Sequence, residues 1–275
     1  MNEIATQELL QGIATEFSRL PEVRAAVLAG SKAGKLADER SDIDLYIYAD
    51  TEPAEIWRAG LASRFGETIS IGNRFWETGD EWVAKRTGTV VDIMYRSPDW
   101  ISDQLDRVLV RQQASVGYST CFVYNVLHSS VLYDVNGWYA ALQARAAQPY
   151  PEGLRRAIVA KNHPILRSTL SSYRHQIALA LARNDHVSVN HRVTALLASY
   201  FDILFAVNRL FHPGEKRLVA YVLEKCPRHP PDLQARVEEL LHAAEPSRCT
   251  DMLGCVDRLL DDLDQLLLEN GLIAN

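Results

Sequence analysis

The chain has 275 residues, 47% of them hydrophobic and 23% charged, enough to bury the core of one large domain or two smaller ones. Lys and Arg number 29 against 35 Asp and Glu, and the net charge of −6 gives a global field that argues against nucleic acid as a partner. No stretch approaches the roughly 18 apolar residues of a membrane span, and the N-terminal MNEIATQELLQGIATEF lacks a basic region followed by an apolar block, so the expectation is a cytoplasmic protein. Cys121, Cys226, Cys249 and Cys255 show no metal-binding spacing and read as reduced thiols.

In chain order, Ile4, Leu9, Leu10, Ile13, Phe17 and Leu20 recur at helical spacing and predict an amphipathic helix ending near Pro21. VRAAVLAG then predicts a strand closed by Gly30, and IDLYIYA a second strand. EPAEIWRAGLASRFG has helical spacing and a stop at Gly66, TISIGNRFWETGDEW reads as a hairpin or loop, and GTVVDIMYR is a third strand. After Pro98 β-branched clusters thin out and long helical periods take over. One helical candidate covers roughly 153–183. HRVTALLASYFDILFAVNRLF is apolar round much of its circumference and predicts a buried helix stopped at His212-Pro213-Gly214. Shorter helices follow near 215–225, 232–243 and 250–269. This change from mixed α/β to nearly all-α predicts a boundary near residue 100.

Between the first two strands lies LAGSKAGKLADERSDIDLYIY. Side chains alternate along a strand, so Asp42 and Asp44 are expected to share a face while Ile43 points away. Two carboxylates so close repel unless a cation lies between them. Mg²⁺ prefers hard oxygen ligands and commonly uses one or two carboxylates plus phosphate oxygens. Asp92, in TVVDIMY, would join the pair if its strand were a neighbour in the same sheet, making a two-metal centre. Gly30 and Ser31 supply the other half: glycine allows close backbone approach, and free N–H groups with a hydroxyl suit a triphosphate. A DxD pair in a polar loop would read as a solvated turn, but here apolar strand flanks it. The loop is not a Walker A, because no GxxxxGK[ST] occurs.

Gly30-Ser31, the ten residues 32–41, Asp42-Ile43-Asp44 and a distal Asp92 resemble the signature of the nucleotidyltransferase superfamily of DNA polymerase β. Within it, the chain looks like the bacterial antibiotic-type nucleotidyltransferases, and ILFAVNRLFHPGEKRL (203–218) is similar to a helical-domain segment of that group. The resemblance implies an α/β (α+β) minimal nucleotidyltransferase domain with a small mixed sheet over 1–100, followed by an all-α helical bundle over 101–275. It implies that Gly30 and Ser31 bind the nucleotide triphosphate, that Asp42 and Asp44 ligate Mg²⁺, and that Asp92 is a metal ligand or the base for the acceptor hydroxyl.

Lys216 follows the HPG breaker, where a cation opposes the dipole of the helix that begins there; together with the resemblance this makes it an expected phosphate contact. Lys32 and Lys35 could screen phosphate or be merely exposed. Trp76, Glu77, Asp80, Glu81 and Trp82 suit a cationic or sugar-bearing acceptor, or equally an edge hairpin packed on the core. The expected activity is Mg²⁺-dependent transfer of AMP from ATP, or of NMP from another NTP, to a hydroxyl of a small molecule such as an antibiotic. The alternatives are a protein acceptor, as in adenylylating antitoxins, and a non-catalytic nucleotide-binding sensor.

Overall fold

The computed structural model describes residues 3–29, 42–75, 77–244 and 251–274. They form two compact units, Met1–Leu105 with Phe122–Gln148, and Asp106–Cys121 with Pro149–Asn275.

The first unit is built on a six-stranded mixed sheet, with α1 (Glu3–Phe17), β1 (Val23–Ala29), β2 (Ile43–Ala49), α2 (Glu55–Phe65), β3 (Gly66–Asn73), β4 (Gly79–Ala84) and β5 (Val90–Arg96) in chain order. A sixth strand, β6 (Ser130–Asp134), arrives after the helices α3 (Pro98–Leu109) and α4 (Cys121–His128). The spatial order is β3-β4-β5-β2-β1-β6. Only the central pair β2/β5 is parallel; every other pairing is antiparallel. TISIGNRFWETGDEW, expected as a hairpin or a loop, lies in the antiparallel pair β3/β4. Gly66 ends α2 with extended backbone and starts β3, and a Cβ there would lie 2.3 Å from the Trp82 ring. Glycine is thus required by the close approach of the next strand rather than by the helix stop alone.

One face of the sheet is apolar because alternate residues are. Ile43, Leu45 and Ile47 of β2, Val91 and Ile93 of β5 and Trp82 of β4 are buried with Leu9, Leu10, Ile13 and Phe17 of α1 and Leu61 of α2. Within this layer Arg58 of α2 is fully buried. Its Nη1 donates to Asp80 Oδ1 at 2.7 Å, its Nη2 lies 2.8 Å from Glu52, and its guanidinium sits 4.6 Å from the Tyr95 ring centroid. Asp80 also accepts from the Gly72 N–H and the Tyr95 hydroxyl. The opposite face carries the intervening residues: Asp44, Tyr46 and Tyr48 of β2, and Asp92, Met94 and Arg96 of β5. Trp138 and Tyr139 of α5 (Trp138–Ala146) pack on Tyr48 at 5.5 and 5.4 Å between ring centroids.

The second unit is all-helical among the described residues: the end of α3, then α6 (Glu152–Arg167), α7 (Tyr173–Ala182), α8 (His186–Val207), α9 (Leu218–Lys225), α10 (Leu233–Ala243) and α11 (Met252–Glu269). The single helix expected over 153–183 is two. STLSS (168–172) interrupts it, and the Ser172 hydroxyl caps α7 by accepting from the His175 N–H. α8 is the axial element, with every residue from Ser199 to Val207 buried. Leu196, Tyr200, Leu204 and Val207 share one core with Leu233, Val237 and Leu240 of α10 and Val256, Leu259, Leu263 and Leu267 of α11.

Candidate functional site

Asp44 and Asp92 are direct register partners across the parallel pair β2/β5. Paired residues of adjacent strands project from the same face of a sheet, with backbones about 4.8 Å apart. Glu81 of β4 is the register partner of Asp92 on its other side, so three acids form a row across three neighbouring strands. Asp44 and Asp92 are half-buried and Glu81 is exposed. Asp42 precedes β2 and is exposed. Burial, followed by the charges of Asp44, Glu81, Asp42 and Glu77, pushes the Asp92 carboxyl up to about 6. These charges are all carboxylates, the situation expected where a bound cation completes the charge balance.

Four residues beyond Asp92 on the same face, Arg96 is buried. Its guanidinium lies 3.8 Å from the Tyr46 ring centroid, 5.3 Å from that of Trp100 and 5.5 Å from that of Phe122. Its Nε and Nη2 donate to the two carboxylate oxygens of Glu77 at 2.7 and 2.8 Å. Burial opposes the Arg96 charge, and the paired bonds to Glu77 act against that penalty, leaving its pKa raised. The Tyr46 hydroxyl accepts from Asn125 at 3.5 Å. Strand alternation alone places Arg96 on the face of Asp92 and Tyr46 on the face of Asp44; the pairing of Arg96 with Glu77 depends on the fold of the hairpin, which no local pattern encodes.

The structure thus brings Asp44 and Asp92 together, with Asp42 just outside the strand. Gly30 and Ser31 lie outside the described residues, as do Lys32, Lys35, Trp76 and Cys249. Lys216 is exposed in the turn before α9, in the helical unit. Of the two readings of this segment, Trp82 follows the edge hairpin packed on the core and is buried, and Asp80 is buried beside Arg58 rather than facing an acceptor. Among the described residues no three His, Cys, Asp or Glu side chains converge as a ready-made metal centre. The Asp44–Asp92 pair nevertheless fits Mg²⁺ by the chemistry of its donors, since that ion commonly takes one or two carboxylates and completes its shell with water and substrate phosphate.

The helical unit contains a separate buried polar cluster. Asp202 of α8 accepts from the Ser119 N–H at 3.0 Å and from the Ser119 hydroxyl at 2.6 Å. Asn162 accepts from the Gly117 N–H and donates to the Ser115 carbonyl. The His212 N–H donates to the Thr120 hydroxyl, and its Nδ1 accepts from the Gly214 N–H. Burial pushes Asp202 up to about 7, against the hydrogen bonds from Ser119, and lowers His212 to about 4. These bonds fasten residues 115–120 to α6, α8 and the segment after α8, a structural role.

Residues 119–218, which include most of that cluster, match a domain of unknown function, DUF4037. No curated protein matches the chain significantly in sequence. Among solved structures, a nucleotidyltransferase-like protein from Exiguobacterium sibiricum is similar at 12% identity and a TM-score of 0.45, over 96% of this chain and 79% of that one. A CCA-adding enzyme from Thermotoga maritima, solved with tRNA, is similar at 12% identity and a TM-score of 0.30, over 94% of this chain and 65% of that one. Both likenesses are distant. Among the described residues no helix is long and apolar enough to cross a membrane.

Proposed function

We propose that the sheet unit is the catalytic part of a Mg²⁺-dependent nucleotidyltransferase. The observation that carries this reading is the in-register pairing of Asp44 and Asp92 on one face of the central parallel strands. In the proposed reaction an acceptor hydroxyl attacks the α-phosphorus of an NTP, most simply ATP. A new phosphoester bond forms, the bond to the β-phosphate oxygen breaks, pyrophosphate leaves and the hydroxyl proton passes to a base or to solvent. Asp44 and Asp92 would hold the cation, and a second ion would draw on Asp42. When bound, Mg²⁺ would offset the negative charge on the phosphates. The chain's own part is to fix its carboxylate oxygens on a rigid sheet, so that positioning rather than covalent chemistry lowers the barrier. Gly30, Ser31 and Lys216 are proposed as phosphate contacts from the sequence alone. The proposed acceptor is a small hydroxyl-bearing molecule of the antibiotic type.

Pyrophosphate release with ATP, Mg²⁺ and a panel of aminoglycoside, lincosamide and protein acceptors tests the proposal. Acceptor-dependent release that disappears in Asp44→Asn and Asp92→Asn supports it. Release with a protein acceptor alone would move the reading to a protein-modifying enzyme. Nucleotide binding without release from any acceptor would favour the sensor, and absence of nucleotide binding would remove the reading altogether.

A further inference from the structure

Glu77 stands apart from the other acids near Asp92. Both of its oxygens are taken by Arg96, at 2.7 and 2.8 Å, and the Arg96 side chain is 5% exposed. Arg96 projects from the same face of β5 as Asp92, and its guanidinium crosses to the ring of Tyr46, two residues along β2 from Asp44 on that face. The pair therefore lies beside the acid row without belonging to it. A buried cation beside a cation-binding site would compete with the ion; a carboxylate locked onto that cation cancels the competition.

We infer that Glu77 and Arg96 are a positioning pair that ties β5 to β2 beside the acid row and, by remaining neutral together, lets the row keep its affinity for a divalent cation. This inference rests on the metal-dependent reading above and adds residues that touch neither nucleotide nor ion. Its signature is a change of sign. Glu77→Gln leaves the Arg96 charge unbalanced and should weaken cation binding. Arg96→Met leaves the Glu77 carboxylate unbalanced and should tighten it. Shifts of about threefold to tenfold are expected in each direction, the order that Coulomb's law gives for a unit charge acting on a divalent ion across a partly screened medium. Arg96→Lys keeps the charge and should bind close to wild type, as should the double variant Glu77→Gln/Arg96→Met.

The experiment titrates the full chain with Mn²⁺ and follows free ion by electron paramagnetic resonance, with circular dichroism to verify that each variant is folded. Opposite shifts in the two single variants, with recovery in the double variant, establish the pair. If all folded variants bind Mn²⁺ as wild type does, or all weaken it together, the inference is overturned while the metal reading stands. If Arg96→Met does not fold, Glu77→Gln against Arg96→Lys decides the matter: only the former should weaken binding. Wild type that binds no Mn²⁺ overturns the metal reading, and this inference with it.

Discussion

Asp92 sits between two register partners of its own sign, Asp44 on β2 and Glu81 on β4. Like charges directly opposite one another on adjacent strands cost roughly 0.2–1 kcal/mol. Asp92→Asn should therefore hold or raise the melting temperature in EDTA and, under the proposed metal-dependent reading, abolish stabilisation by Mg²⁺, both read by thermal denaturation. In the proposed reaction the same change should lower kcat by about a hundredfold or more, the usual scale for losing one preorganised electrostatic group, and alter KM far less; steady-state pyrophosphate release measures the two. A second residue-scale test concerns Asp202, whose carboxyl is pushed up to about 7 from an ordinary 3.8. The folded chain binds one more proton there than the unfolded chain between those values. Its contribution to stability is complete below about pH 4 and is lost as pH rises through 7, at up to about 1.4 kcal/mol per pH unit. His212, lowered to about 4 from 6.5, acts oppositely: its contribution is present above 6.5 and lost as pH falls through 4. The two slopes oppose each other, and Asp92, pushed up to about 6, adds a falling slope of its own over the same range. Asp202→Asn should remove one falling slope, so urea unfolding should show the variant gaining stability relative to wild type as pH rises from 4 to 6.5.

At the scale of elements, α2 is fastened to the sheet by a buried charge pair. Arg58→Ala would leave Asp80, 2% exposed, with the Gly72 N–H and the Tyr95 hydroxyl as its hydrogen-bond donors among the described residues. Breaking a buried pair on one side costs about 3–5 kcal/mol, and urea unfolding should show a loss of that size. Of the described strands β1, β2 and β5 were legible from alternation and punctuation, and IDLYIYA coincides with β2 residue for residue; β3 and β4 fall in the stretch that read as a hairpin or a loop. β6 was not legible: SVLYD is short, lies at an edge with Ser130 and Val131 exposed, and follows a helix, so no alternating apolar face marks it. The site divides the same way. The face shared by Asp92 and Arg96 follows from a period of two, and the nearness of Asp92 to the first acid pair was expected if the strands were neighbours. The register that sets Asp44 opposite Asp92, and Glu81 on its far flank, is fixed by strand order, which no local pattern encodes. Asp80 and Glu81 are adjacent in sequence yet fall on opposite faces; one is sealed by Arg58 and the other ends the acid row.

For the whole molecule, the two buried clusters share no residue: one gathers around the sheet, the other around α8. Ile47→Ala, a truncation at a fully buried position of β2, should cost about 2–5 kcal/mol. Hydrogen exchange should show lost protection for β1, β2 and β5 amides that exceeds any change in α8. The sheet unit is also discontinuous in the chain, because 106–121 belong to the helical unit and 122–148 return to the sheet. This has a consequence during synthesis. On the ribosome β1 pairs with β2 early, but its other side waits until Ser130–Asp134 has been made. Throughout that interval β1, whose pattern is apolar at all but one position, is an open edge able to pair with another nascent chain. A fragment ending at residue 105 should therefore aggregate, while one ending at 148 carries β6 and should remain dispersed, as ultracentrifugation of the two translation products would show.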